Sequence, residues 1–194
     1  MKRTVMDESV IRTMARWPDV PAVFGYLALS RRGQWLVCGD PVTHERTREF
    51  INRNYDHDDR GRWFFRNGPQ QVYIHLEYTP WIYRLDNDAV ITHTGRDAGQ
   101  VMGGWMDDHG ALLLETAVGI GLVHDRDLAA TQSLVRSRNN SDDEPDDPED
   151  TGLRLNLRGA VIPIRLLRRA DVPVRFGFDP APAPRPEERL HAGN

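Results

Sequence analysis

The sequence has 194 residues, a length that fits one domain of ordinary size better than two. Hydrophobic residues make up 39% of the chain and charged residues 28%, close to the globular average, so the composition predicts a packed core and excludes wholesale disorder. The formal net charge of −4 argues against nucleic acid as a partner. The single cysteine excludes an intramolecular disulfide and a cysteine-rich zinc site.

The N-terminal residues predict a cytoplasmic protein. Acidic residues arrive at Asp7 and Glu8, before the apolar segment of a secretory signal could form. The richest apolar window, 111–123, is shorter than the ~20 residues that a bilayer span needs, and Glu115 interrupts it. We therefore expect a cytoplasmic protein that does not have a membrane as its partner.

Helical periodicity appears in only a few short segments. Apolar residues within 7–16 share one helical face, and Trp17-Pro18 ends that pattern. Thr43 is a plausible N-cap for a helix that reaches about residue 54 and buries Phe50 and Ile51. Asp125 or Asp127 can cap a third helix that ends near residue 135.

The rest of the pattern is mainly β. Apolar and polar residues alternate in short runs, and glycine-containing turns such as Asn67-Gly68-Pro69 separate several of these runs. The predicted strands cover residues 24–30, 34–38, 62–66, 71–78, 81–85, 89–93, 100–106, 111–116, 117–123, 153–167 and 172–178. Short turns between runs favour an α+β fold with a largely antiparallel sheet and two or three helices. A partly closed barrel is the alternative.

The pattern predicts a single domain over residues 1–178, interrupted by a disordered acidic insertion at about 137–152 and followed by a proline-rich disordered tail, 179–194. The insertion carries seven acidic residues, and without them the remaining chain would carry a charge of about +3. The insertion is either an inert solvated loop or a mask over the C-terminal arginines. These are Arg154, Arg158, Arg165, Arg168, Arg169 and Arg175.

Three stretches carry a resemblance to a known family. They are Phe50-Ile51-Asn52-Arg53-Asn54-Tyr55, Gly61-Arg62-Trp63-Phe64-Phe65 and Asn67-Gly68-Pro69-Gln70. In these stretches the sequence resembles a family of uncharacterised proteobacterial proteins defined only as a domain of unknown function, and the similarity runs over about residues 17–178. The resemblance implies a bacterial cytoplasmic protein. It implies no activity and no catalytic residues.

The candidate ligand-binding residues lie in the segment that is richest in aromatic side chains. Alternation places Tyr73, His75 and Glu77 on one face of a predicted strand, and a polar turn follows the preceding strand. Aromatic side chains dominate the energetics of both cores and interfaces, so this segment forms either the core or a binding surface. The candidates are Trp63, Arg66, Asn67, Tyr73, His75, Glu77 and Trp81.

A metal site is the alternative chemistry, with a divalent metal as its cofactor. His75 and Glu77 could act with a third ligand, for which His124 is the main candidate beside His93 and His109. Clusters of His and Asp also occur at 57–59, 107–109 and 124–127, where turns or helix caps explain the same residues. The sequence has no nucleotide-binding glycine motif, and no cofactor is predicted on the favoured interpretation.

These observations favour a cytoplasmic accessory or regulatory protein that binds a protein partner or a small ligand through an aromatic-rich sheet. The competing hypothesis is a metal-dependent hydrolase built on a His/Glu/Asp site. The sequence does not define the catalytic residues or the oligomeric state.

Overall fold

The computed structural model describes residues 21–86, 89–137, 148–157 and 159–189. The predicted helix over 7–16 and most of the predicted acidic insertion lie outside these ranges. Contacts between Cα atoms divide the chain into two compact units, whereas we expected one domain. The first unit contains residues 1–78 and 177–194, and the second contains residues 79–176.

The first unit is built on a six-stranded sheet. Its strands are β1 (Ala22–Leu29), β2 (Trp35–Val37), β3 (Asp40–Pro41), β4 (Tyr55–His57), β5 (Trp63–Asn67) and β6 (Gln70–Leu76). The order across the sheet is β3-β2-β1-β6-β5-β4. The central pair β1 and β6 is parallel and the other pairs are antiparallel.

One face of this sheet is covered by a helix, and the opposite face is partly covered, since His75 on β6 is exposed. Helix α1 (Glu45–Arg53) packs on one face, where Phe50 meets Phe65 edge to face at 6.0 Å, and the side chain of His44 caps the helix, not that of the predicted Thr43. The residues Trp63, Phe64 and Phe65 are all buried, as expected for a strand covered on both sides.

The end of the first unit is formed by residues 177–189, which include helix α4 (Pro186–Arg189). The backbone N–H of Asp179 donates to the carbonyl of Gly61 at 3.0 Å, and that of Leu76 donates to the carbonyl of Pro180 at 2.8 Å. Asp179 and Pro180, at the start of the stretch in which the proline-rich sequence suggested a disordered tail, are therefore hydrogen-bonded to β6 and to the turn before β5. These hydrogen bonds join residues distant in sequence, which proline content does not reveal.

The second unit is built on an eight-stranded sheet. Its strands are β7 (Trp81–Asp86), β8 (Ala89–Thr92), β9 (Val101–Asp107), β10 (Leu112–Thr116), β11 (Gly119–Val123), β12 (Val135–Ser137), β13 (Asp150–Leu157) and β14 (Ala160–Leu167). Their order is β12-β13-β14-β9-β10-β11-β7-β8, with β14/β9 and β11/β7 parallel. In the described residues neither sheet closes on itself, so the barrel alternative is not supported.

Two short helices belong to the second unit. Helix α2 (Leu128–Leu134) follows a 3-10 turn at Asp125–Asp127, close to the predicted helix. Helix α3 (Val172–Phe176) replaces the strand predicted over 172–178. That prediction was wrong because Val172 and Phe176 are also one helical turn apart: Val172 is buried and Phe176 meets Trp105 edge to face at 5.0 Å.

Candidate functional site

The aromatic members of the predicted binding surface are core residues. In the first unit Trp63 and Tyr73 are 8% and 3% exposed, and in the second unit Trp81 is 6% exposed. The indole N–H of Trp81 donates to the carbonyl of Val118 at 2.8 Å. At these three positions the aromatic segment therefore contributes to the core, which is one of the two alternatives that the sequence left open.

The polar turn between β5 and β6 is exposed, as predicted. Gly68 adopts a φ of 61°, which the turn requires and which most residues disfavour. The guanidinium of Arg66 lies 5.0 Å from the ring centroid of Phe64 and 3.9 Å from the carboxylate of Asp56. Because Arg66 is more than half exposed and Asn67 is partly exposed, both are accessible to a partner.

Two residues of the metal hypothesis, Glu77 and His124, have other partners. His75 and Glu77 lie in the first unit and His124 in the second. A carboxylate oxygen of Glu77 accepts the backbone N–H of Arg31 at 3.0 Å, and Nδ1 of His124 lies 2.7 Å from Asp125. Within the described ranges no group of three or more His, Cys, Asp or Glu side chains is placed to hold a metal ion.

The three His–Asp clusters form turns and caps. Asp58 and Asp107 each accept backbone N–H groups two and four residues ahead, and His124 caps the 3-10 turn by accepting the N–H of Arg126 at 3.1 Å. Local backbone hydrogen bonding accounts for these residues, as the turn interpretation predicted.

The first unit contains a cavity of about 340 Å³ that we call the tail cavity. Its walls come from β1, β2, β6 and the C-terminal segment. The side chains of Tyr73 and His75 project from one face of β6, and Ala181 and Pro182 contribute from the segment. The full lining is Gly25, Tyr26, Leu27, Ala28, Leu36, Cys38, Gly39, Tyr73, His75, Ala181 and Pro182.

Irregular backbone in β1 and after β2 shapes the tail cavity. The pairing of β1 with β6 shifts register between Val23 and Leu27, and Gly25 there has a φ of 79°. Cys38 has a φ of 50°, in the left-handed region that non-glycine residues rarely adopt. Such departures from regular strand geometry occur often at sites that hold ligands.

A buried arginine lies beside the tail cavity. Arg62 Nε donates to Asp58 at 2.8 Å, and its two terminal nitrogens donate to the two carboxylate oxygens of Glu188 at 3.1 and 3.0 Å. The hydroxyl of Tyr73 accepts from Arg62 at 2.9 Å, and the guanidinium lies 4.4 Å from the centroid of that ring. Tyr73 in turn stacks on Phe24, with centroids 4.4 Å apart.

These contacts fix the charge states of the cluster. Burial opposes the charge of Arg62, but hydrogen bonds to Glu188 and Asp58 raise its pKa above the ordinary value. The hydrogen bond from Arg62 lowers the pKa of Glu188. Burial raises the pKa of Tyr73 to about 12, so its hydroxyl stays protonated at neutral pH. The cluster therefore holds one cation between two carboxylates.

Sequence reasoning missed Arg62, Phe24, Cys38 and Glu188 as members of one site. A charged residue directly before an aromatic run, as in Arg62-Trp63-Phe64, was an available signal for a buried and paired guanidinium. Nothing local marks Glu188, because its partner is 126 residues away.

Two cavities in the second unit are weaker candidates. The larger has a volume of about 400 Å³ and is lined by apolar residues and by Asp108, Glu149, Arg168 and Asp171. Each of these four charged residues already has a partner in the protein. Asp108 accepts the N–H of Arg169, Arg168 pairs with Asp171, and Glu149 pairs with Arg175. The other, about 340 Å³, lies between α2 and the sheet and is mostly apolar. Among the described residues, no helix is both long and apolar enough to cross a membrane.

Comparisons with known proteins identify the fold and the family. The crystal structure of a DUF1285 family protein from Silicibacter pomeroyi DSS-3 matches with a TM-score of 0.53 and 13% identity, covering 76% of this chain and 83% of that one. A DUF1285 family protein from Shewanella baltica OS155 matches with a TM-score of 0.43 and 14% identity, covering 56% and 91%. The first likeness concerns the fold alone.

No curated protein matches the sequence. A family model described as "Protein of unknown function (DUF2946)" matches residues 6–183, which contain the whole region of the family resemblance. The family model with this description is named DUF2944, and the chain belongs to that family, whose function is unknown.

Proposed function

We propose that this protein is a cytoplasmic accessory or regulatory protein that binds a small organic molecule in the tail cavity. The observation that carries the proposal is the cavity itself, whose lining includes the exposed side chains of His75 and Cys38. Its volume of about 340 Å³ lies at the small end of the range for ligand pockets, about 300–1,000 Å³.

The chemistry of the lining supports a ligand with both apolar and polar parts. Tyr26, which is partly exposed, offers aromatic surface, while the exposed His75 offers a group that can donate or accept a hydrogen bond. The same lining contains glycines at positions 25 and 39, where the absence of a side chain lets a ligand approach the backbone closely.

Cys38 provides a specific test, because it is the only cysteine in the chain and lies in the cavity wall. Fragments that bind the native protein would first be identified from shifts in the backbone amide signals of cavity residues. Attaching a benzyl group to Cys38 through a disulfide should fill the cavity and abolish that binding. The Cys38→Ala variant treated with the same reagent is the matched control and should keep it. Binding that survives the modification of Cys38, or that moves only signals of the second unit, would contradict the proposal.

The second candidate function is the binding of a protein partner, and the exposed turn at Arg66 and Asn67 favours it. Affinity purification from the native cell should then return a partner that is lost with Arg66→Ala. Trp63→Ala is unsuitable for this test because Trp63 is buried and its removal would damage the core. Recovery of the same partner with Arg66→Ala would exclude this turn as the site that binds the partner.

The metal-dependent hydrolase stays a prediction with no structural observation in its favour. It requires a bound divalent metal, and His75 and Glu77 would have to supply part of its ligands. Elemental analysis of purified protein, with His75→Ala as the comparison, tests it directly.

A further inference from the structure

Arg62 presents a two-point donor face of the kind that recognises carboxylates. Only 9% of its side chain is exposed, and its terminal nitrogens direct two N–H groups at the oxygens of Glu188. Paired N–H donors in this fork geometry match a carboxylate and form short, charge-assisted hydrogen bonds. The position of Glu188 is therefore a carboxylate position, whichever molecule supplies the group.

Asp58 neutralises Arg62 independently of Glu188. One oxygen of Asp58 accepts the backbone N–H groups of Arg60 and Arg62, at 3.1 and 3.0 Å, and the other oxygen accepts Arg62 Nε. The local turn fixes Asp58, so this pair stays together when Glu188 leaves. The two N–H groups that are then released can donate to water or to another carboxylate, and a carboxylate restores the charge-assisted pair.

One segment covers both Arg62 and the tail cavity. Ala181 and Pro182 line the cavity, and seven residues beyond Ala181 the same segment delivers Glu188 to Arg62. Tyr73 belongs to both places, because it lines the cavity while its hydroxyl accepts a hydrogen bond from Arg62. Displacement of this segment would uncover the cavity and the donor face of Arg62 together.

We propose that the ligand of the tail cavity is a small organic carboxylate, and that its carboxylate binds Arg62 in the place that Glu188 occupies in the free protein. In the free protein, Glu188 supplies to Arg62 the carboxylate that the ligand supplies in the complex. This inference rests on the proposed function of the tail cavity. It adds the chemical class of the ligand and the residue that anchors it.

The probes are benzoate and its neutral analogue benzamide, which have similar size and shape. Each is titrated into the full-length protein while the backbone amides of the cavity and the Nε–H of Arg62 are followed by NMR. Glu188→Gln keeps the size of the side chain but removes the charge that competes for Arg62. Glu49→Gln is the matched control, because Glu49 pairs with Arg53 on the exposed face of α1 in the same unit.

Glu188→Gln should raise the affinity for benzoate at least tenfold and change that for benzamide less than twofold, with the Arg62 Nε–H signal moving only with benzoate. Glu49→Gln should behave as the wild-type protein. In the Glu188→Gln background, Arg62→Lys should remove most of the gain, because lysine lacks the paired N–H donors.

The outcomes separate the two proposals. If both probes bind the cavity equally well in Glu188→Gln, the cavity is a binding site but the carboxylate inference is wrong. If neither probe moves a cavity signal in either protein, the inference and the proposed small-molecule site both fail.

Discussion

Arg62 and Glu188 are separated by 126 positions in the chain, yet two hydrogen bonds of 3.1 and 3.0 Å join them. This pair connects the turn after β4 to the last helix of the first unit. With Asp58 and Tyr73 it forms a buried polar cluster in which every named member has a partner. Most of the structural consequences that can be tested start from it.

Replacing Arg62 by alanine should lower the free energy of unfolding of the first unit by about 3–5 kcal/mol, because two largely buried carboxylates lose their cation. Urea unfolding followed by backbone amide signals of β5 and β6 measures this change. Arg53→Ala is the control: its ion pair with Glu49 is exposed, so the loss should stay below about 0.5 kcal/mol. Equal effects of the two variants would show that the cluster does not stabilise the unit.

Glu188 should make the stability of the first unit depend on pH. The hydrogen bond from Arg62 holds the pKa of Glu188 in the folded protein below the ordinary 4.5. The contribution of Glu188 to stability is therefore fully present above pH 4.5 and is lost as the pH falls through this lowered pKa. The charged and titratable groups that face it are Arg62, Tyr73, Asp58 and Arg185.

The comparison of wild-type protein with Glu188→Gln isolates this contribution from that of the other acidic groups. At pH 7 the wild type should be more stable by about 1–2 kcal/mol. The difference should shrink steadily below pH 4.5 in urea titrations. A difference that stays constant down to pH 3 would contradict the assigned pairing.

Gly61→Ala should be far more damaging than Gly68→Ala, although both glycines have a similar positive φ, 72° and 61°. A Cβ on Gly61 would overlap the carbonyl of Gly177 and come within 2.8 Å of Cα of Phe178, whereas nothing lies within 4 Å of a Cβ on Gly68. Gly68→Ala should cost about 1–2 kcal/mol, the strain of a left-handed alanine. Gly61→Ala should cost at least twice that, since backbone must move. Thermal unfolding of both variants measures the difference, and equal costs would disprove the close approach.

Asp127 should contribute more to the stability of the second unit than the exposed carboxylate of Asp171 does. It accepts Arg84 Nε at 2.6 Å, a second Arg84 nitrogen at 3.0 Å and the backbone N–H of Leu85 at 3.0 Å, with 10% of its side chain exposed. Asp127→Ala should lower the free energy of unfolding of this unit by about 2–3 kcal/mol. Asp171→Ala, which removes an exposed pair with Arg168, should cost less than about 1 kcal/mol. Hydrogen exchange of the β7 amides gives the readout, and similar protection in both variants would contradict the ranking.

Two carboxylates of the acidic insertion pair with arginines of the second unit. Asp150 and Glu149 belong to the seven acidic residues: Asp150 makes two hydrogen bonds with Arg154, at 2.7 and 2.6 Å, and Glu149 lies 3.6 Å from Arg175. Within the described residues, therefore, two carboxylates of the acidic stretch pair with Arg154 and Arg175, and the mask over the arginines stays a prediction.

Local pattern determined much of the secondary structure. The hairpin of β1 and β2, the turn at Gly68 and helix α1 follow from alternation, turn residues and helical spacing, all of which act between near neighbours in sequence. The same rules failed at 172–178, where apolar residues alternate at 172, 174 and 176 as in a strand while 172 and 176 are also one helical turn apart.

Tertiary structure alone decided which strands became neighbours and which side chains met. The parallel pairs β1/β6, β7/β11 and β9/β14 each join strands distant in sequence, and no local signal specifies such a pairing. The burial of Trp63 and Tyr73, and the meeting of Arg62 with Glu188, have the same origin. The sequence by itself determined most of the strands, several turns and the family. The site depended on long-range packing, because the contacts that build it are made between residues that share no local pattern.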